Sequence, residues 1–247
     1  MKDIQKPYKV IAIVPAAGLG RRFGSGTKKP FQTLGGKPLI VWSLKALEAV
    51  GEICEIIPVL KSEDMELVQR LLEEEGFSKI RRIAAGGKER QDSVYNGLQY
   101  IEDKNSIVLI HDGVRPLMSP HLAEELIRQM SDAVRNKEKY DGIIPGVPLK
   151  DTIKEIEDGF VRKTLKRGFL WAVQTPQAFP YKKILRAYDE AAREGYYATD
   201  DAALIERYGG KIKIVMGSYA NIKITTPEDL VVAEALLKLS VRTDCKG

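Results

Sequence analysis

The chain has 247 residues, of which 44% are hydrophobic and 30% charged, and its formal net charge is +5. That length allows one α/β domain with a large core, and the composition is that of an ordinary soluble globular protein. The positive charge suits anionic ligands, but without a basic and aromatic stripe it does not indicate a nucleic acid. Two isolated cysteines, no signal peptide and no membrane-spanning run lead us to expect a cytoplasmic protein without a membrane partner.

Apolar and polar segments then alternate along the chain as in βαβ proteins. Strands are predicted at residues 10–14, 56–60, 80–84, 106–112, 142–147 and 211–216. Helices are predicted at residues 39–50, 64–75, 93–101, 121–136, 181–194 and 200–208, and a last helix starts with Thr226 as its N-cap. Pro58 predicts an edge or irregular position for the second strand. This order predicts an α/β fold with a doubly wound, mostly parallel sheet in a single domain, 1–247.

The alternation breaks between residues 148 and 170. Polar and apolar residues alternate there, and Glu157-Asp-Gly159 is a turn sequence. The pattern predicts a protruding β-hairpin arm, and a mobile surface loop is the alternative.

The first strand runs into a loop of small residues followed by cations. Pro15-Ala-Ala-Gly-Leu-Gly20 is followed by Arg21, Arg22, Lys28 and Lys29. Backbone N–H groups and fixed positive charges in such a loop suit a polyphosphate. The dinucleotide fingerprint does not fit because its third glycine comes one residue late, and the Walker pattern lacks its Lys-Ser or Lys-Thr. We therefore predict that a nucleotide binds here.

Further polar clusters follow the later strands. Gly86 and Gly87 would form either a tight turn or a close approach to a flat base. Asp112, at the end of the fourth strand, could hold Mg²⁺, although Arg115 could instead simply pair with it. Lys223, just before the last helix, would reach a phosphate or extend along the surface to water.

The sequence offers no nucleophilic triad, no zinc-binding spacing and no obvious general base. His111 precedes the strand end and is predicted to be packed rather than catalytic. Nucleotidyl transfer to a phosphate acceptor needs no base, because a phosphate monoester with a second pKa near 6 is already mostly a dianion at neutral pH. Such a reaction needs positioning and cations around the α-phosphate, and this sequence supplies cations.

Short motifs in a fixed order carry a family resemblance. They are Pro15-Ala-Ala-Gly-Leu-Gly-Arg-Arg-Phe, Gly86-Gly-x-x-Arg-x-x-Ser93, His111-Asp-x-x-Arg-Pro116, Asp151-Thr152, Thr175-Pro-Gln177, Thr199-Asp200 and Asn221-Ile-Lys-x-Thr225-x-Pro-Glu-Asp229. Over about Val10 to Leu237 the chain resembles the 2-C-methyl-D-erythritol 4-phosphate cytidylyltransferases. The resemblance implies a Rossmann-like nucleotidyltransferase fold. It also implies Mg²⁺-dependent transfer of CMP from CTP to this polyol phosphate, releasing pyrophosphate, in non-mevalonate isoprenoid synthesis.

The resemblance also implies roles for individual residues. The catalytic residues would be Arg22, Lys29, Arg167 and Lys223. The nucleotide would be bound by Pro15, Ala16, Ala17, Gly18, Leu19, Gly20, Gly86, Gly87, Ser93 and Asp112. The polyol phosphate would be bound by Asp112, Arg115, Thr152, Arg167, Thr175, Thr199, Lys223 and Thr225. Asp112 would hold the metal.

By the same resemblance, the arm at residues 148–170 would embrace a second subunit. We therefore expect a homodimer in which Thr152 and Arg167 serve the partner's site. The first loop departs from the common family ending Pro-Lys-Gln at Lys28-Lys29-Pro30, so Lys28 could replace Lys29. Two other functions stay open, a ribitol 5-phosphate cytidylyltransferase and a non-catalytic nucleotide-binding regulator.

Overall fold

The computed structural model describes residues 8–18 and 28–244. The strands in chain order are β1 Val10–Pro15, β2 Thr33–Leu34, β3 Lys37–Pro38, β4 Ile53–Leu60, β5 Ala84–Ala85, β6 Ile107–Ile110, β7 Gly142–Pro148, β8 Lys154–Glu157, β9 Phe160–Thr164, β10 Trp171–Val173, β11 Gln177–Pro180 and β12 Ile212–Met216. The helices are α1 Leu39–Glu48, α2 Met65–Glu75, α3 Arg90–Leu98, α4 Pro120–Asn136, α5 Tyr181–Glu194, α6 Asp201–Arg207 and α7 Pro227–Asp244. Within the described residues, no helix is both long and apolar enough to cross a membrane.

A mixed sheet of eight strands forms the centre of the fold. Seven strands lie in the order β10-β7-β11-β6-β1-β4-β5, and β12 pairs with β7 as a branch. The pairings of β6, β1, β4 and β5 are parallel, as is that of β12 with β7. The predicted mostly parallel α/β sheet is thus confirmed in its core. Strands β10 and β11 are antiparallel to their neighbours and make the sheet mixed.

Strand β1 lies inside the sheet between β6 and β4, and every one of its residues is buried. A continuous apolar run of this kind is typical of a parallel strand with helices on both faces. One face of the sheet packs on α1 and α4 through Leu44 and Leu126 among others. The other packs on α3 and α5, where Val94 and Ile184 are fully buried. The carboxyl end of β1 therefore opens at the middle of one edge of the fold, between two helical layers.

Several predicted boundaries differ from the structure. The predicted third strand shortens to β5, and β11 was not predicted at all. Helix α3 begins at Arg90 because Glu89 and Asp92 form a capping box. The edge position expected from Pro58 is wrong, because β4 lies between β1 and β5. Strand β5 pairs only with Val59 and Leu60, so the proline interrupts no β4–β5 pairing.

Residues 148–170 contain the predicted hairpin. Strands β8 and β9 pair antiparallel in a separate two-stranded sheet, which confirms the arm as a structural element. Asp158 and Gly159 make the turn with positive φ angles of 50° and 84°. Phe160 at the hairpin turn is 80% exposed, and Phe169 beyond it is 83% exposed. Large aromatic side chains left in water suit a contact surface.

Candidate active site

Two adjoining cavities open near the carboxyl ends of β1 and β6. The first, called the loop cavity here, has a volume of about 160 Å³ and is lined by Pro15, Ala16, Ala17, Gly18, Lys29, Pro30, Ser93 and Val114. The second, called the side cavity, has a volume of about 450 Å³ and includes Trp171, Thr175, Gln177 and Thr199 in its lining. Arg90, Asp112 and Lys223 line both cavities and form the wall between them.

The wall is built around the carboxylate of Asp112. Its Oδ1 accepts a hydrogen bond from Arg90 Nε at 2.9 Å, and its Oδ2 lies 2.8 Å from Lys223 Nζ. Arg115 Nε stands 3.9 Å from Oδ2. Burial alone would raise the pKa of Asp112, but the charges of Arg90, Lys223 and Arg115 outweigh burial and hold that pKa far below its ordinary value. Three cations around one carboxylate leave the wall positive and suited to phosphates.

Arg90 is the wall residue that the sequence analysis did not predict. Besides Asp112, it makes a two-bond contact with Asp201, with Nη1 at 3.0 Å from Oδ1 and Nη2 at 2.8 Å from Oδ2. Burial lowers the pKa of Arg90, but Asp201 and Asp112 raise it well above its ordinary value. The available signal was its place in the Gly86-Gly-x-x-Arg motif. A charged residue in the first turn of a helix usually faces water, so the motif alone did not single it out.

Glycines 86 and 87, predicted to bind the nucleotide, do not line the loop cavity but let the backbone pack closely against Ala17, which does, and against Asp92 of α3. A Cβ on Gly86 would lie 2.3 Å from Ala17 Cβ, and one on Gly87 would lie 2.2 Å from Asp92 Cβ. The Gly87 N–H donates to Ser93 Oγ at 3.1 Å. Close approach therefore requires these glycines, whatever ligand the cavity holds. Leu19, Gly20 and Arg22, also predicted site residues, lie outside the described residues.

The two candidate lysines of the first loop occupy different environments. Lys28 Nζ lies 2.5 Å from Glu63 Oε1 and 2.6 Å from Asp64 Oδ1, in the turn after β4. The hydrogen bonds that Lys28 donates to Asp64 and Glu63 raise the pKa of Lys28. Lys29 lines the loop cavity. This arrangement favours Lys29 as the lysine that faces a ligand.

His111 is a packed histidine, as predicted. Its Nδ1 lies 3.0 Å from Thr175 Oγ1, and its Nε2 lies 3.2 Å from the Arg115 carbonyl oxygen. Thr175 Oγ1 also accepts from the Asp112 N–H at 3.1 Å. Burial lowers the pKa of His111 to about 4, so the ring is neutral at pH 7. The ring and Thr175 together fix the backbone that presents Asp112.

Two further predicted residues, Arg115 and Thr225, make hydrogen bonds within the chain. Arg115 is buried and donates to the Asn221 carbonyl oxygen at 2.7 Å, which holds the segment carrying Lys223. The Thr225 hydroxyl donates to Asp229 Oδ2 at 2.7 Å, at the start of α7. Their substrate contacts stay predictions.

Two predicted residues belong to the arm. Thr152 and Arg167 are exposed, and neither lines the loop cavity or the side cavity of its own chain. Arg167 Nη1 donates to the Lys150 carbonyl oxygen. Within one chain, the structure does not bring these two residues to the Asp112 wall.

A strand-end loop of small residues that faces cations gathered around one carboxylate suits a nucleoside triphosphate. On an α/β sheet of this kind, such a site is the one that a nucleotidyltransferase requires. The family model described as IspD, 2-C-methyl-D-erythritol 4-phosphate cytidylyltransferase, matches residues 10–239. The chain therefore belongs to that family.

Individual relatives agree. A 2-C-methyl-D-erythritol 4-phosphate cytidylyltransferase from Pelotomaculum thermopropionicum is 45% identical over 232 residues, covering 93% of this chain and 94% of the relative. One from Geobacillus thermodenitrificans is 46% identical over 226 residues, with 92% and 96% covered. A 4-diphosphocytidyl-2C-methyl-D-erythritol synthase structure from Anaerococcus prevotii has a TM-score of 0.80 and 34% identity, covering 94% of this chain and 97% of its own.

Proposed function

We propose that this site transfers CMP from CTP to 2-C-methyl-D-erythritol 4-phosphate, releasing pyrophosphate, in the non-mevalonate synthesis of isoprenoid precursors. The observation that carries the proposal is the wall of Arg90, Asp112 and Lys223 shared by the two cavities. A triphosphate in the loop cavity and a phosphorylated acceptor in the side cavity would meet at this wall. Family membership supports the identity of both substrates.

The reaction needs no proton acceptor. A phosphate oxygen of the dianionic acceptor attacks the α-phosphorus of CTP and forms a new P–O bond. The bond from the α-phosphorus to the bridging oxygen breaks, and pyrophosphate leaves with that electron pair. Lys29 from the loop cavity and Lys223 from the wall would neutralise the charge that gathers on the α-phosphate. Arg22 is proposed to do the same.

Asp112 is the proposed ligand for Mg²⁺. Mg²⁺ usually keeps several waters and is held by one or two carboxylates together with substrate phosphates, so one carboxylate beside a triphosphate cavity fits that ion. The described residues contain no cluster of three or more His, Cys, Asp or Glu side chains that could form an all-protein site. When bound, the ion would neutralise phosphate charge. Both Asp112 oxygens now accept from cations, so Lys223 would share Oδ2 or turn to a phosphate.

The acceptor is tested by comparing substrates. We expect pyrophosphate release with CTP and 2-C-methyl-D-erythritol 4-phosphate to exceed that with ribitol 5-phosphate by at least about tenfold in kcat/KM, a difference of about 1.4 kcal/mol. The other nucleoside triphosphates, with the same acceptor, are the matched controls for the base. A preference for ribitol 5-phosphate would refute the proposed acceptor. Binding of CTP without any turnover would instead indicate the regulator.

We also propose that the arm at residues 148–170 joins two chains and that Thr152 and Arg167 act in the partner's site. Their absence from the cavities of their own chain supports this. Exposed Phe160 and Phe169 supply an apolar contact surface.

A cytoplasmic location stays a prediction.

Mixed dimers test the shared site. Arg167→Ala and Lys29→Ala chains should each be nearly inactive alone. In a mixed dimer, one of the two sites would have both residues intact, so about half of the wild-type activity per dimer should return. Different affinity tags would isolate the mixed species. If purified mixed dimers stay as inactive as the parents, Arg167 does not act in the partner's site.

A further inference from the structure

Arg90 joins two carboxylates that come from distant parts of the chain. It is the first residue of α3, and it reaches Asp112 after β6 and Asp201 at the start of α6. Two of its nitrogens contact the two oxygens of Asp201, and the third contacts Asp112. A guanidinium held by two parallel bonds has a fixed plane, so the direction of its Nε–H is fixed as well.

We propose that Arg90 and Asp201 form a positioning pair that orients the Asp112 carboxylate in the wall between the two cavities. The inference rests on the proposed function, because Asp112 matters only if substrates meet at that wall. Arg90 holds Oδ1 of Asp112, which leaves Oδ2 directed at Lys223, 2.8 Å away. The pair therefore sets where the carboxylate and the lysine stand relative to each other.

Asp201 is itself a rigid support. Its side chain is completely buried, and its helix α6 begins with Asp200 accepting from the Ala203 N–H at 3.0 Å. Its Oδ1 also accepts a hydrogen bond from Tyr188 on α5. An immobile carboxylate can transmit its position through the guanidinium, whereas a solvent-exposed carboxylate could not.

The charge of Arg90 and its geometry can be separated by substitution. Arg90→Lys keeps a cation beside Asp112 but cannot bind Asp201 and Asp112 with a planar fork. Asp201→Asn keeps the shape of the support but replaces one accepting oxygen with an amide that would face a guanidinium N–H. Both changes should disturb the Asp112 carboxylate. Arg90→Lys keeps a positive charge in the wall, and Asp201 lines neither the loop cavity nor the side cavity, so Asp201→Asn changes no group that faces CTP.

The test measures kcat, the KM of each substrate, the Kd of CTP and the melting temperature. We expect Arg90→Lys and Asp201→Asn each to lower kcat about 10- to 100-fold, with the Kd of CTP for Asp201→Asn within about threefold of wild type. The double variant should lose no more than the worse single variant, because both changes break the same pair. The matched control is Tyr181→Phe, which removes another buried tyrosine hydroxyl of α5, one that donates to the Leu98 carbonyl oxygen and does not contact Asp201. It should lower the melting temperature while kcat stays within about twofold.

Two results would overturn the inference. One is a kcat within about threefold of wild type for both single variants, measured well below their melting temperatures. The other is a double variant whose loss is the product of the two single losses, because independent effects multiply. If Arg90→Lys does not fold, Asp201→Asn and Tyr181→Phe still decide between positioning and stability. An inactive wild type would refute the proposed function itself, and so differs from either result.

Discussion

Lys29→Ala is expected to lower kcat by at least about 100-fold, the range found when a group that stabilises transition-state charge is removed. Lys28→Ala is expected to change kcat less than about threefold. The two lysines are adjacent and chemically identical, but Lys29 lines the loop cavity whereas Lys28 is paired with exposed Glu63 and buried Asp64. The exposed pair with Glu63 contributes only about 0–1 kcal/mol, but Lys28→Ala should still lower stability because it takes the cation away from the buried Asp64 carboxylate.

The measurement is single-turnover release of pyrophosphate, with CTP binding determined separately. Lys29→Ala should still bind CTP within about tenfold of the wild-type Kd, because the backbone of the first loop and the wall cations remain. Retained CTP binding with lost turnover would also exclude a non-catalytic regulator, because a variant can lose turnover only if the wild-type protein catalyses the reaction. A large kcat loss in Lys28→Ala with a small one in Lys29→Ala would reverse the assignment.

Acidification is expected to destabilise the fold through His111, by about 3 kcal/mol between pH 7 and pH 4. Burial lowers the pKa of this histidine from 6.5 to about 4. Between those two values the unfolded chain binds more protons than the folded one, so stability is full above pH 6.5 and is lost as the pH falls. About 2 kcal/mol of the loss should already be present at pH 5.

Urea unfolding at pH 7 and pH 5 measures this loss. In the wild type, the free energy of unfolding should fall between pH 7 and pH 5. In His111→Gln this fall should be smaller by about 2 kcal/mol. The chain has one other histidine, His121, whose side chain is 87% exposed, and His121→Gln is the matched control that should keep the wild-type difference. In NMR spectra, the His111 signal is identified as the histidine signal that the His111→Gln variant lacks. In the wild type, this signal should titrate near pH 4. Titration of that signal near 6.5 would refute the explanation.

The sequence predicted the parallel core of the sheet well because continuous apolar strands and amphipathic helices have strong local signals. Strand β11 was missed because it is four residues long, contains Gln177 and ends in Pro180. Its partners are β6 and β7, which lie far from it in sequence, so its place depends on tertiary contacts. Strand β5 is only two residues long, because Ile80 and Ile83 are partly buried and pack against the core without pairing in the sheet.

The site was predictable where a motif names a residue type whose chemistry is evident. Asp112 and Lys223 follow that rule, and the structure brings them into contact although they lie 111 residues apart. Arg90 could not be assigned in this way, because its partner Asp201 is equally remote and only folding reveals the contact. The choice between Lys28 and Lys29 likewise depended on Glu63 and Asp64, which no local pattern connects to the first loop.

In the proposed arrangement, with CTP in the loop cavity and the polyol phosphate in the side cavity, the shared wall would couple the binding of the two ligands. Arg90, Asp112 and Lys223 face both cavities, so a phosphate that draws on their charge from one side changes the field on the other side. Linkage is reciprocal: if bound CTP alters the affinity for the polyol phosphate by some factor, bound polyol phosphate alters the affinity for CTP by the same factor. The affinity measured for either ligand alone therefore does not give its affinity when the other ligand is bound.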